Sequence, residues 1–248
     1  MGRIIMRKIK ILLFLIALTL FGFNNVSAIP TLQFDILGGT YDPTTQTIIA
    51  PGSTFTLYAY LIPNDSNTLA DVYYISAALV PKLTPPGGDL GSFIFNGQKI
   101  SVTEDMVYGV PPLEAILGPD RGDLPSHGIF ETYFIEFGFQ FSSSNRALPY
   151  DTQKKTGIGP TPDPSGSMYF ASFIVNTSNL GGGYVIHFDL YNTTLGKDYN
   201  GDIDVSKFAP FSHDAQSVQV PEPSTLLLLG SGLMGAWLFG RKKFKRLG

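Results

Sequence analysis

Thr54-Phe55-Thr56-Leu57-Tyr58-Ala59-Tyr60-Leu61-Ile62 alternates Phe55, Leu57, Ala59 and Leu61 with Thr56, Tyr58, Tyr60 and Ile62. Successive side chains of a strand leave opposite faces, so this stretch reads as a strand with one apolar face and one face carrying two tyrosines. The same reading extends outward. Residues 93–102 form a hairpin signal centred on Asn96-Gly97, a dipeptide that accepts the positive φ angles of a type I′ turn. Across residues 129–141, alternation places Glu131, Tyr133, Ile135, Phe137, Phe139 and Phe141 on one face. Residues 168–175 and 184–191 add two further β-like runs bounded by Gly-, Pro- or Asn-rich turns, and residues 149–166 are a polar, Pro-rich loop. No stretch sustains a helical period over three turns, and no internal repeat is evident. Residues 29–219 are therefore expected to form an all-β domain, an antiparallel two-layer β-sandwich of jelly-roll or cohesin-like type.

Composition agrees with one such domain. The 248 residues are 44% hydrophobic and 15% charged, with 27 Gly and 18 Pro, which suits a β-rich globular body better than a disordered chain. There is no cysteine. That excludes disulfides, thiolate metal sites, cysteine nucleophiles and the lipidated cysteine of a bacterial lipoprotein. Charge is segregated: Arg3, Arg7, Lys8 and Lys10 open the chain, and Arg241, Lys242, Lys243, Lys245 and Arg246 close it. The middle holds eight Lys and Arg against 19 Asp and Glu, a formal charge of about −11, and a field of that sign repels phosphate backbones, so no nucleic-acid partner is expected.

The first 28 residues read as an export signal. A basic start is followed by the uncharged apolar run 11–23 and by Val26-Ser27-Ala28, the three parts of a cleavable signal peptide. Cleavage between Ala28 and Ile29 is the expectation, with signal peptidase and the secretion translocon as partners. The competing reading is an uncleaved anchor, for which the run is short against a hydrocarbon layer of roughly 30 Å.

The last 29 residues carry a second address. Val220-Pro221-Glu222-Pro223-Ser224 precedes an almost wholly apolar stretch, 225–239, and then the basic cluster Arg241, Lys242, Lys243, Lys245 and Arg246. Two prolines around one residue enforce an extended segment, the form a processing enzyme can thread. The apolar stretch as a helix is about 22 Å long, and the basic cluster is expected to stay cytoplasmic under the positive-inside rule, leaving residues 29–219 outside the membrane. A Pro-Glu-Pro box, a short hydrophobic helix and a terminal basic cluster together resemble the PEP-CTERM sorting tail of exported proteins in Gram-negative bacteria. The resemblance implies a sorting tail at residues 220–248, with recognition at Pro221, Glu222 and Pro223 by the membrane-embedded enzyme exosortase, a transient stop-transfer made by the hydrophobic helix and the basic cluster, and association with extracellular polysaccharide and biofilm. The competing reading is an ordinary C-terminal membrane anchor that is never processed. Pro125-Ser126-His127-Gly128-Ile129-Phe130 and Phe211-Ser212-His213-Asp214-Ala215 also resemble local signatures of the choice-of-anchor ectodomain class.

Within the middle domain, candidate chemistry is sparse. Asp198-Tyr199-Asn200-Gly201-Asp202-Ile203-Asp204 begins like a calcium loop, with Asp198, Asn200, Asp202 and Asp204 at alternate ligand positions. Ile203 stands where the turn glycine belongs and Ala209 where the closing carboxylate belongs, so a solvated acidic turn competes with calcium as cofactor. Tyr58 and Tyr60, about 7 Å apart along a strand, are candidates for stacking on successive sugar units, against the reading that this face packs beneath another element. Glu131 and Glu136 fall on opposite faces of a strand and do not by themselves flank a glycosidic bond. His127, His187 and His213 are candidates for converging on zinc, against hydrogen-bonding roles in loops and an ordinary strand position for His187. Arg121-Gly122-Asp123 reads as a turn, and Asn64, Asn176 and Asn192 begin sequons of little weight in a bacterial reading. No Gly-x-Ser-x-Gly elbow, His-Glu-x-x-His motif or phosphate loop is present. The leading expectation is a non-enzymatic surface or biofilm-matrix protein that binds polysaccharide or another surface protein. The alternative is a secreted carbohydrate-active enzyme with a carboxylate pair from distant loops.

Overall fold

The computed structural model describes residues 28–81, 87–109, 130–192, 209–210, 213–218, 231–234 and 237. Among these, residues 231–234 and 237 are helical, and ahead of them come, in order, thirteen strands and a one-turn helix. They are β1 (Leu32–Ile36), β2 (Thr40–Asp42), β3 (Thr47–Ile49), β4 (Thr54–Leu61), β5 (Tyr73–Val80), β6 (Ser92–Phe95), β7 (Gln98–Ser101), α1 (Val102–Asp105), β8 (Val107–Gly109), β9 (Thr132–Phe139), β10 (Arg146–Ala147), β11 (Met168–Asn176), β12 (Val185–Asn192) and β13 (Asp214–Gln216). The protein is all-β in the described region.

The strands form two sheets. The first runs β1-β4-β11-β6-β7 with β10 paired to β11, and the second runs β2-β3-β13-β12-β5-β9-β8. Pairing is antiparallel with one exception, because β13 lies parallel to β3. Strand β4 lies between β1 and β11 in the first sheet, and the two faces read from its sequence are kept: Phe55, Leu57, Ala59 and Leu61 are buried in the main core, while on the other face Thr56 and Tyr58 are half-buried and Tyr60 is buried in a second cluster. The Asn96-Gly97 turn joins β6 to β7 with φ of 49° and 88°, as a type I′ turn requires.

The inner faces of the two sheets meet through aromatic rings. Phe95 of β6 stacks on Phe137 of β9 at 4.0 Å and 6°, Phe55 of β4 meets the edge of Phe188 of β12 at 6.3 Å, and Phe139 of β9 meets Phe173 of β11 at 5.1 Å. Each such pair contributes about 0.5–1.5 kcal/mol beyond the burial of its area, which suits a domain with no covalent staple. No helix among the described residues is long and apolar enough to cross a membrane, and most of the apolar stretch expected to do so lies outside them.

Two layers leave two outer faces, and both candidate sites lie there.

Candidate functional site

On the outer face of the first sheet, Tyr58 and Tyr60 of β4 lie beside Gln33 and Asp35 of β1, which pair with Tyr60 and Tyr58 respectively. The loop after β10 folds over this face. Asp35 accepts the backbone N–H of Gly157 at 2.8 Å, of Gly159 at 3.2 Å and of its neighbour Ile36 at 2.9 Å. Tyr150 donates its hydroxyl to Asp35 Oδ2 at 3.0 Å and contacts the Tyr60 hydroxyl at 2.7 Å. Gln33 donates through Nε2 to the Tyr150 carbonyl at 2.8 Å and accepts Thr152 N–H and Oγ1 through Oε1. Burial raises the Asp35 carboxyl above the usual range, opposed by the donors around it, and burial also raises Tyr60 and Tyr150. Tyr60 is fully buried. Its ring lies 6.2 Å from Tyr58 at 28°, but beneath the loop, so the expected pair of sugar-stacking rings reduces to a half-buried Tyr58. The packing alternative holds for Tyr60 because Asp35 and Gln33 supply the acceptors that fix the loop in place.

On the outer face of the second sheet, polar residues from neighbouring strands form a row. Glu136 of β9 pairs with Ser76 of β5, Ser76 pairs with Asp189 of β12, and Asp214 of β13 pairs with Thr47 of β3. His187 is opposite Gln216 and Phe188 opposite Ala215, so the antiparallel register continues to set Asp189 opposite Asp214. Like charges facing each other across strands are destabilising. His187, two residues before Asp189 on the same face, stands against both: its Nε2 is 3.4 Å from Asp189 Oδ1 and 3.8 Å from Asp214 Oδ2. One donor atom from each of the three lies within 4.8 Å of the others. Burial pushes Asp214 up to about 8, reinforced by the Asp189 charge. Burial alone lowers His187, but Asp189 and Asp214 outweigh it and raise the imidazole to about 10. Farther along, Tyr191 donates its hydroxyl to Glu136 and stacks on Tyr74 at 5.8 Å.

The remaining sequence candidates separate. His213, the residue before β13, has Nε2 at 3.2 Å from Asp151 Oδ1, while Lys154 Nζ holds Asp151 Oδ2 at 3.0 Å. It anchors a loop through Asp151, whereas His187 stands against Asp189 and Asp214. Glu131 is exposed and Glu136 half-buried. Asn64 accepts Ser66 and Asn67 N–H groups, Asn176 accepts Ser178 N–H, and Asn192 donates to Asp71 and Asn67, so each sequon asparagine has a local structural role. Asp198, Asn200, Asp202 and Asp204, His127 and Arg121-Gly122-Asp123 lie outside the described residues, as do residues 1–27. Asp35, Gln33, Asp189 and Asp151 were not singled out by sequence, and Asp214 only as part of the 211–215 stretch. The alternating His187-x-Asp189 was available as a signal, whereas Asp214 enters the cluster only through the pairing of β13 with β12.

The C-terminal address has a counterpart among known proteins. Residues 219–243 match the PEP-CTERM protein-sorting motif. This range includes Val220, Pro221, Glu222, Pro223 and Ser224 and the first three basic residues, Arg241, Lys242 and Lys243. The PEP-CTERM match implies an exported protein, sorted to the cell surface and processed by exosortase. Comparison of the chain with curated proteins gives no significant match.

Proposed function

We propose that the chain delivers a non-catalytic β-sandwich, of jelly-roll or cohesin-like type, to the cell surface or biofilm matrix, where it binds polysaccharide or another surface protein or serves as a structural module. The observation that carries this reading is the sorting motif at residues 219–243 on a body of two packed β-sheets. In this reading residues 1–28 are removed by signal peptidase after translocation, and the tail from Val220 arrests the chain in the inner membrane until exosortase acts on the Pro221-Glu222-Pro223 box.

The competing reading is a secreted carbohydrate-active enzyme. Such an enzyme sets two carboxyl groups about 5–9.5 Å apart on either side of the scissile bond. The Asp214 side chain is 2% exposed, so the Asp189–Asp214 pair is a poor candidate for that role. A glycan array run beside a hydrolysis screen separates the two readings: retention without turnover supports the binding module, cleavage products support the enzyme, and neither leaves the structural role.

A further inference from the structure

The Asp189–Asp214 juxtaposition calls for a positive partner. Among the described residues, the buried side-chain oxygens that make no hydrogen bond are Ser76 Oγ and Asp214 Oδ2, and both flank Asp189 in the same row of the sheet, one on β5 and the other on β13. A buried polar atom left without a partner is destabilising, and two of them beside one half-buried carboxylate mark a place arranged for something else. A protonated His187 satisfies this only in part. It directs one Nε2–H, which at 3.4 Å reaches Asp189 and at 3.8 Å leaves Asp214 Oδ2 beyond hydrogen-bond distance.

We infer that His187 Nε2, Asp189 and Asp214 are three ligands of a divalent transition-metal ion of the zinc class, held on the outer face of the second sheet. The donor chemistry selects this class. Imidazole nitrogen with carboxylate oxygen suits zinc and its neighbours, whereas calcium takes six to eight oxygens at longer distances. The spacing agrees as well. Two bonds of about 2.1 Å meeting at a tetrahedral angle put their donor atoms about 3.4 Å apart, against 3.4 and 3.8 Å from His187 to the two carboxylates. A doubly charged ion also balances the two ionised carboxylates while His187 stays neutral. Strand geometry supplies the rigidity: His187 and Asp189 are fixed two residues apart on β12, and β13 is hydrogen-bonded on both sides, to β12 and to β3. The His187 and Asp189 side chains are 18% and 30% exposed, which leaves a path for an ion from solvent.

The test uses the untagged full chain in mild detergent, stripped with a chelator and titrated with Zn²⁺ by calorimetry and with Co²⁺ by visible absorption. The expected result is one Zn²⁺ per chain and a Co²⁺ ligand-field band, with His187→Gln, Asp189→Asn and Asp214→Asn each weakening Zn²⁺ at least about tenfold, the lower end of what even the groups supporting a metal ligand cost. Asp189 is the most exposed of the three, so Asp189→Asn is the variant least prone to misfold. A folded wild-type chain that binds no Zn²⁺, Zn²⁺ binding unchanged in both His187→Gln and Asp189→Asn, or displacement of Co²⁺ by equimolar Ca²⁺ would each overturn the assignment.

Discussion

The carboxylate of Asp35 accepts the backbone N–H of Gly157 at 2.8 Å, tying β1 to a loop 122 residues further along the chain. Three other donors reach the same carboxylate, from Ile36, Gly159 and Tyr150. Truncation by Asp35→Ala leaves buried donors without an acceptor, and the expected loss is about 3 kcal/mol of unfolding free energy, read from urea denaturation. Asp35→Asn keeps one acceptor oxygen and is expected to lose less. Limited proteolysis within residues 150–159 should accelerate in the alanine variant before global unfolding does.

Tyr60→Phe removes one hydroxyl from the Tyr60–Tyr150–Asp35 chain and no exposed surface. The expected cost is about 1 kcal/mol in stability, with retention on any glycan bound by the wild type unchanged. Tyr58→Ala is the informative contrast, since Tyr58 is the ring of the pair that meets solvent. Equal loss of glycan retention in both variants would place the buried ring in the binding surface and contradict the packing described above.

Acid sensitivity is expected from His213. Burial holds its imidazole below the ordinary value of 6.5, against the opposing pull of Asp151. Below that value the unfolded chain takes up a proton that the folded chain does not, so this contribution is present above 6.5 and is lost as pH falls through the lowered folded value. Asp35 has the opposite sign: its raised carboxyl favours the folded state below 3.8, an advantage lost as pH rises through the folded value. Melting temperature followed from about pH 7 to 5 should therefore fall less in His213→Gln than in the wild type. A steeper fall in the variant would assign the acid sensitivity to another group.

Glu222→Ala combined with Pro223→Ala is expected to block processing of the tail, because it removes the acidic residue and one of the two prolines that hold the box extended. Intact-mass measurement of exported protein reads the outcome directly: the variant retains its tail in the membrane fraction, while the wild type is released from it. Identical masses would favour the unprocessed anchor.

Strands with one wet or polar-facing side were legible in the sequence. Alternation located β4 and β9 to within a few residues, β-like runs bounded by turn residues located β11 and β12, and Asn96-Gly97 located the β6–β7 hairpin. Strand β5, Tyr73–Val80, is buried on both faces along most of its length, so its apolar and small residues show no period of two. Strand β1 is buried throughout, and Gln33 and Asp35 within it look like surface residues until the loop that they hold is in place. Strand β13 has three residues and derives its position from neighbours distant in sequence, β3 and β12. The His187 cluster was hidden for the same reason, since half of its carboxylate pair arrives with β13. The sorting tail was legible because its function resides in a contiguous stretch rather than in a folded surface.

Strand β13 also has a mechanical meaning. It is the last described strand before the sorting tail, and it is inserted between β3 and β12 rather than laid along a sheet edge. Beyond it, the Ser217 N–H binds the Ile186 carbonyl at 2.9 Å and the Ser217 hydroxyl accepts the Ile186 N–H at 2.8 Å. In the proposed membrane-arrested form, tension on the tail would enter the domain at Ser217 and run along β13. Hydrogen bonds to both neighbours then share the load in shear, instead of opening one at a time as they do when an edge strand is peeled. A tether on the tail would thus pull on an interior strand, a placement that resists extraction by flow.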